Sequence, residues 1–239
     1  MIRKWQLILV LMAAGACSGR AGVIYWNGSS TGSTSISGSD AAGIASASFT
    51  DPAANQSGSG STLVSDGSIA TSSGYAGASG TFNFQARTQS GALSTSSSTY
   101  FSVTLVPNSD YTIALNSVSL GSRSTGTGPV AITIYSSIDN YAMAIGSASV
   151  SANSTWALSS ITFSGTLTGA ADENVSLRIY GSGGSSTSTT PNWRIDDIRL
   201  TVTLDYVPEP AAVGAISAAG LLALCGWRGW RQRHAACAF

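Results

Sequence analysis

The chain has 239 residues, room for one ordinary domain once terminal segments are set aside, and a formal net charge of zero. Between residues 22 and 209, however, five arginines (Arg87, Arg123, Arg178, Arg194, Arg199) and no lysine face eleven Asp and Glu, so this body is acidic by six charges. Such a surface repels phosphate backbones, which argues against nucleic acid as a partner. It also holds no His or Cys, which excludes Ser-His-Asp and Cys-His catalysis, a typical zinc site and a disulfide framework.

The first 21 residues read as a secretory leader. Arg3 and Lys4 make a charged start, Trp5 to Ala16 an apolar run, and Ala14-Gly15-Ala16 and Gly19-Arg20-Ala21 are both acceptable small-residue cleavage sites. The apolar run is too short for a permanent span, which needs about 20 residues. Cys17 also stands where a lipobox would end, although Ala14 occupies the place where leucine is usual.

Residues 22–80 are rich in Gly, Ser and Ala, with apolar islands such as "VIYW" and "IASASFT" between turn-forming clusters. From residue 81 to 206 the alternation is cleaner. "TFNF" places Phe82 and Phe84 on one face, and "YFSVTLVP" does the same for Phe101, Val103 and Leu105. Ile132 and Ile134 share a face in "VAITIYSS", as do Val175, Leu177 and Ile179 in "VSLRIYG"; "ITFSGTL" and "IRLTVTL" repeat the two-residue period. About a third of residues 22–206 are Ser or Thr, which suit exposed strand faces and connections. Short strands with turn signals and no helical period predict an all-β sandwich of jelly-roll type.

Acidic residues are the remaining catalytic candidates in the body. Asp172-Glu173 and Asp196-Asp197 are adjacent pairs. Neighbours on a regular strand point to opposite faces, so neither pair makes the facing carboxylates of a glycosidase, and no enzyme is expected. Asp196 is a candidate calcium ligand, since calcium takes oxygen ligands alone; the simpler reading is a solvated acid paired with Arg194 or Arg199. No other cofactor is expected. Trp26, Trp156, Trp193, Tyr111, Tyr135, Tyr141 and Tyr180 are large enough to stack on sugars, although core packing is the default for tryptophan in a sandwich. Trp193, after the loop "GSGGSSTSTTPN", and Arg123, in "GSRSTGTGP", are the ligand candidates; Arg123 has bracing its own turn as the alternative.

The chain then changes character. Ala211 to Trp227 carries no charge, and seventeen helical residues span about 26 Å, slightly short of a ~30 Å hydrocarbon core. Trp227 and Trp230 suit the interface, while Arg228, Arg231 and Arg233 suit the cytoplasmic side. Pro208 and Pro210 keep any helix from running back into the body.

The order of Val207-Pro208-Glu209-Pro210, an Ala-rich span and a terminal Arg cluster, over residues 207–233, resembles the PEP-CTERM sorting signal. The resemblance implies export by the general secretion machinery and a precursor held briefly in the inner membrane of a Gram-negative bacterium. An exosortase would then recognise Pro208, Glu209 and Pro210 and release the protein to the cell surface or extracellular matrix, beside exopolysaccharide. Residues 100–206, closing with "WRIDDIRL", also look like ectodomains found ahead of such signals and like galactose-binding-like jelly rolls and carbohydrate-binding modules. Three readings follow: a non-enzymatic surface or matrix module, a carbohydrate-binding module, or a glycan-active enzyme.

Overall fold

The structure, a computed structural model, describes residues 19–26, 34–38, 43–53, 83–186, 190–208 and 227. The two-residue alternation becomes strands because apolar residues on every second position can be buried together while Ser and Thr between them stay wet. The strands are β1 (Arg20–Trp26), β2 (Thr34–Gly38), β3 (Ile44–Ala53), β4 (Phe84–Ala86), β5 (Tyr100–Pro107) and β6 (Tyr111–Ser124). They continue with β7 (Ala131–Ser136), β8 (Ala144–Ser149), β9 (Trp156–Thr168), β10 (Val175–Ser182) and β11 (Trp193–Tyr206). A 3-10 turn at Ser137–Asp139 follows β7.

These strands form two antiparallel sheets, so the chain is all-β. One runs β2-β1-β11-β6-β9, with β4 also paired to β11; the other runs β3-β5-β10-β7-β8. β1 pairs with β11 over 198–204 and β4 pairs with it over 193–195, so the two lie end to end along the same side of β11. The Gly/Ser/Ala-rich segment before residue 81 thus contributes three strands to the sheets, and Arg20 and Ala21, at the end of the expected leader, already lie in the β1 ladder.

The inner faces of both sheets meet in one apolar cluster. Phe101, Val103, Leu105, Ile132, Ile134, Leu177 and Ile179 come from one sheet, and Ile24, Trp26, Leu120, Trp193, Ile198 and Leu200 from the other. A line of rings ties the layers: Phe84 and Phe49 lie 4.3 Å apart, Phe49 and Phe101 5.8 Å, and Phe101 meets Trp193 edge-on at 4.9 Å. Edge-on and tilted pairs at these separations add to the area burial itself.

Two bulges shift which residues face inward. In β6 the register slips between Leu115 and Ser117, so Ile113 and Leu115 are followed by Val118 and Leu120 on the core side. In β11 it slips between Asp196 and Arg199, and Asp197 adopts φ 47°. The extra residue moves Trp193 and Ile195, then Ile198, Leu200, Val202 and Leu204, all onto the core face.

Candidate functional site

Trp193 is a core residue. It is fully buried, its Nε1 donates to Ser122 Oγ at 3.1 Å, and it leaves no face for a ligand. Burial of its large apolar area explains this placement, and the loop before it does not carry it outward. Trp26 is fully buried as well.

Asp196 is not the solvated acid that its neighbourhood of arginines suggests. Its side chain is completely buried and Asp197 nearly so, because the bulge with φ 47° breaks the rule that successive residues face opposite ways. Asp196 Oδ1 accepts the Asp197 amide at 2.9 Å, and the Tyr25 hydroxyl donates to Asp197 Oδ1. Among the described residues no group of three or more His, Cys, Asp or Glu could hold a metal ion.

Pro208 is exposed just beyond β11. Glu209, Pro210, Arg228, Arg231 and Arg233 lie outside the described residues, as does the 211–227 span except Trp227, which is exposed. Among the described residues no helix is long and apolar enough to cross a membrane.

Arg123 falls on the outer face of the six-stranded sheet, half-buried, with its Nε donating to Ser154 O at 2.8 Å. It therefore braces the loop before β9 and not its own turn. Its ladder partners are more telling. On one side it stands opposite Trp156 of β9, and on the other opposite Arg194 of β11, which in turn stands opposite Gln85 of β4. Trp156, Arg123, Arg194 and Gln85 thus make one row across four strands, every member half-buried. Burial lowers the pKa of the Arg194 guanidinium, and the Arg123 charge adds to that effect. Like charges directly opposite each other destabilise a sheet by their mutual repulsion.

The second outer surface, on the five-stranded sheet, gathers tyrosines around a cation. Arg178 lies over the Tyr141 ring at 3.7 Å and the Tyr100 ring at 4.9 Å, and bonds the Tyr180 hydroxyl. That hydroxyl donates to Thr95 O at 3.1 Å, and Tyr135 meets the Tyr180 ring edge-on at 5.6 Å. Tyr141 reaches Arg178 from a turn in which both Asn140 and Tyr141 have positive φ, 58° and 59°. Two such residues in succession cost on the order of 1–3 kcal/mol each, which the bond from Tyr141 N to Ser136 O at 2.8 Å and the cation–π contact help to offset. Burial alone would lower the Arg178 pKa, but the Tyr180 hydrogen bond and the neighbouring tyrosines leave it raised. With its guanidinium engaged by three tyrosines, this cluster reads as a structural clamp.

The clamp has a pH signature. Burial raises the Tyr180 pKa above 10.0, outweighing the opposing influence of Arg178. A raised folded-state value gives stability that is fully present below the unfolded pKa and lost as pH rises through the folded one. Urea unfolding should therefore change little up to about pH 9 and weaken above about pH 10. Tyr180→Phe should remove part of that alkaline loss, read as a flatter dependence of the urea midpoint on pH.

No family model matches this chain, and no curated protein matches it. Among solved structures, it is similar to the K1 cleaved adhesin domain of Lys-gingipain from Porphyromonas gingivalis W83. That match covers 74% of this chain and 96% of the other, at 11% identity and a TM-score of 0.35. A likeness this distant carries no argument about fold or function.

Proposed function

We propose that the chain is an exported, exosortase-sorted surface or extracellular-matrix protein of a Gram-negative bacterium, whose jelly-roll-like body is a non-enzymatic interaction module associated with exopolysaccharide. The observation that carries this reading is the separation of body from address. β11 closes the central ladder at Tyr206, and Pro208 already stands exposed outside the sheet, immediately ahead of the Pro-Glu-Pro triplet, the uncharged run and the arginines. The jelly-roll assignment rests on chain order: β5, β7 and β10 belong to one sheet, while β6, β9 and β11, interleaved with them, belong to the other.

Replacing Pro208, Glu209 and Pro210 together with alanine tests the reading. The body should fold as before, and the span with its arginines should still insert under the positive-inside rule. The precursor should accumulate in the inner membrane, while the wild type appears as a shorter species in the envelope or medium. Fractionation and intact mass separate the outcomes; equal release of both proteins would reduce the triplet to a linker.

A second reading, a carbohydrate-binding module, is favoured by the Trp156–Arg123–Arg194–Gln85 row, which combines an aromatic ring with polar donors on an outer sheet face. It is compatible with the first, because a matrix protein needs something to hold.

A further inference from the structure

The expected leader has two acceptable ends, after Ala16 and after Ala21, and the two cuts have different consequences for the six-stranded sheet. Ala16 and Cys17 lie outside the described residues, whereas Gly19 to Gly22 are within them. Arg20 stands opposite Leu204 and Ala21 opposite Thr203, at the start of the β1–β11 ladder. Gly19 lies so close to β11 that a Cβ there would fall 2.5 Å from Asp205 Oδ1 and 2.6 Å from Thr203 Cγ2. Gly22 is buried, opposite Val202 of β11 on one side and Gly38 of β2 on the other.

We infer that the leader is removed at the Ala16–Cys17 bond, by a membrane signal peptidase that reads the small residues Ala14 and Ala16, and that Gly19 to Ala21 belong to the mature body. The inference rests on the export proposed above and deepens it by naming the bond. Water adds across the Ala16–Cys17 amide; the new carboxylate leaves with the leader, and Cys17 keeps the nitrogen as the new terminal ammonium. The alternative cut, after Ala21, would harm the sheet in two ways. It would remove the first two pairs of the ladder, so that β11 loses its β1 neighbour at Thr203 and Leu204 and their backbone groups lose partners. It would also set the ammonium on Gly22, a buried residue between β11 and β2, where withdrawing a charge from water is costly. The cut before Cys17 leaves the ladder whole and places that charge ahead of Gly19, which is exposed. Gly19 is itself fitted to the sheet, since its approach to Thr203 and Asp205 leaves no room for a side chain.

The full chain is expressed in a Gram-negative host, and the N-terminal peptide of the exported protein is read by mass spectrometry. It should begin at Cys17. Ala21→Gln spoils the second site at an exposed position of β1 and should leave that start unchanged. Ala16→Gln should make the leader-bearing precursor the dominant species. Cys17→Ser should be cut as the wild type is, because the small residues before the bond are untouched. In detergent, a chain running from Gly22 to Phe239 should unfold at lower urea than one running from Cys17 to Phe239.

A wild-type start at Gly22, or at any other residue after Met1 but Cys17, overturns the inference and leaves export standing. Loss of cleavage in Ala21→Gln alone does the same. Loss of cleavage in Cys17→Ser overturns the small-residue route in favour of one that first loads the thiol with lipid. Equal urea midpoints for the Cys17 and Gly22 chains overturn the claim that Gly19 to Ala21 belong to the body. An exported protein that still begins at Met1 overturns both the bond and the cleaved leader on which the export reading stands.

Discussion

Trp193→Ala is expected to lower the unfolding free energy by about 3–5 kcal/mol, a large share of the ~5–15 kcal/mol that an ordinary domain has. The side chain is fully buried between the sheets. Phe101 meets it edge-on at 4.9 Å, Ser122 Oγ accepts its Nε1 proton, and a Cβ at Gly181 on the opposing sheet would sit 2.8 Å from its ring. Gly181 is therefore the hollow into which the indole fits, with Pro129 beside it. Urea unfolding followed by circular dichroism should show the midpoint dropping with little change in slope. Trp193→Phe should cost less, since the ring contact with Phe101 survives and the Ser122 bond is lost. A Trp193→Ala protein as stable as the wild type would mean that the indole does not join the sheets.

Gly128→Ala should be costly for the opposite reason, since it adds matter where there is no room. A Cβ at Gly128 would run into the Asn192 carbonyl oxygen and Ser124 Oγ. Backbone cannot swing aside as a side chain can, and Asn192 is fixed from several directions. Its amide donates to Ala86 O at 3.0 Å, and its Oδ1 accepts from Thr88 N at 2.8 Å and Thr88 Oγ1 at 3.1 Å. Its carbonyl oxygen accepts from Thr125 N at 3.0 Å. One methyl group would thus push on the junction of the 86–88, 125–128 and 192–193 segments. Overpacking of a tight site costs about 1–3 kcal/mol, and the fixed backbone places this substitution at the upper end. The check is a fall in thermal midpoint for Gly128→Ala that is absent for Gly126→Ala, where the nearest atom to a new Cβ is 4.0 Å away.

How far the fold could be read in advance depended on whether each strand kept its phase. In β5, β7 and β10 the aliphatic and phenylalanine residues of the core keep one parity, and Phe101, Val103, Leu105, Ile132, Ile134, Val175, Leu177 and Ile179 are all buried as the alternation predicts, while Tyr100 and Tyr180 are buried on the other face. β6 hides its period: Ile113 and Leu115 are odd, Val118 and Leu120 even, because a bulge between them inserts one residue. The bulge in β11 has a second effect, placing both Asp196 and Asp197 in the interior where simple alternation would turn one outward. A bulge is a tertiary choice and leaves little local trace. The candidate site was legible only in pieces. Arg123 and Trp156 stand out as residue types, but their adjacency to Arg194 and Gln85 depends on the register of three ladders joining segments far apart in the chain. Arg178 and Tyr100 gave no sign of their partnership, which needs the strained turn at Asn140–Tyr141 to bring a third ring over the cation.

β11 is the last of the strands along the chain, yet it runs through the middle of its sheet, with β1 and β4 on one side and β6 on the other. A polypeptide emerging residue by residue can close the β6–β9 ladder early, but β1 and β4 have to wait for Trp193–Tyr206 before that layer exists. Such long closures are slow. Until then one edge of β6 and the facing edges of β1 and β4 stay uncovered, although the β3-β5-β10-β7-β8 sheet can already be in place. A chain broken off before residue 193 would be no smaller version of the same body. It would be a set of strands with bare edges, open to proteases and to one another.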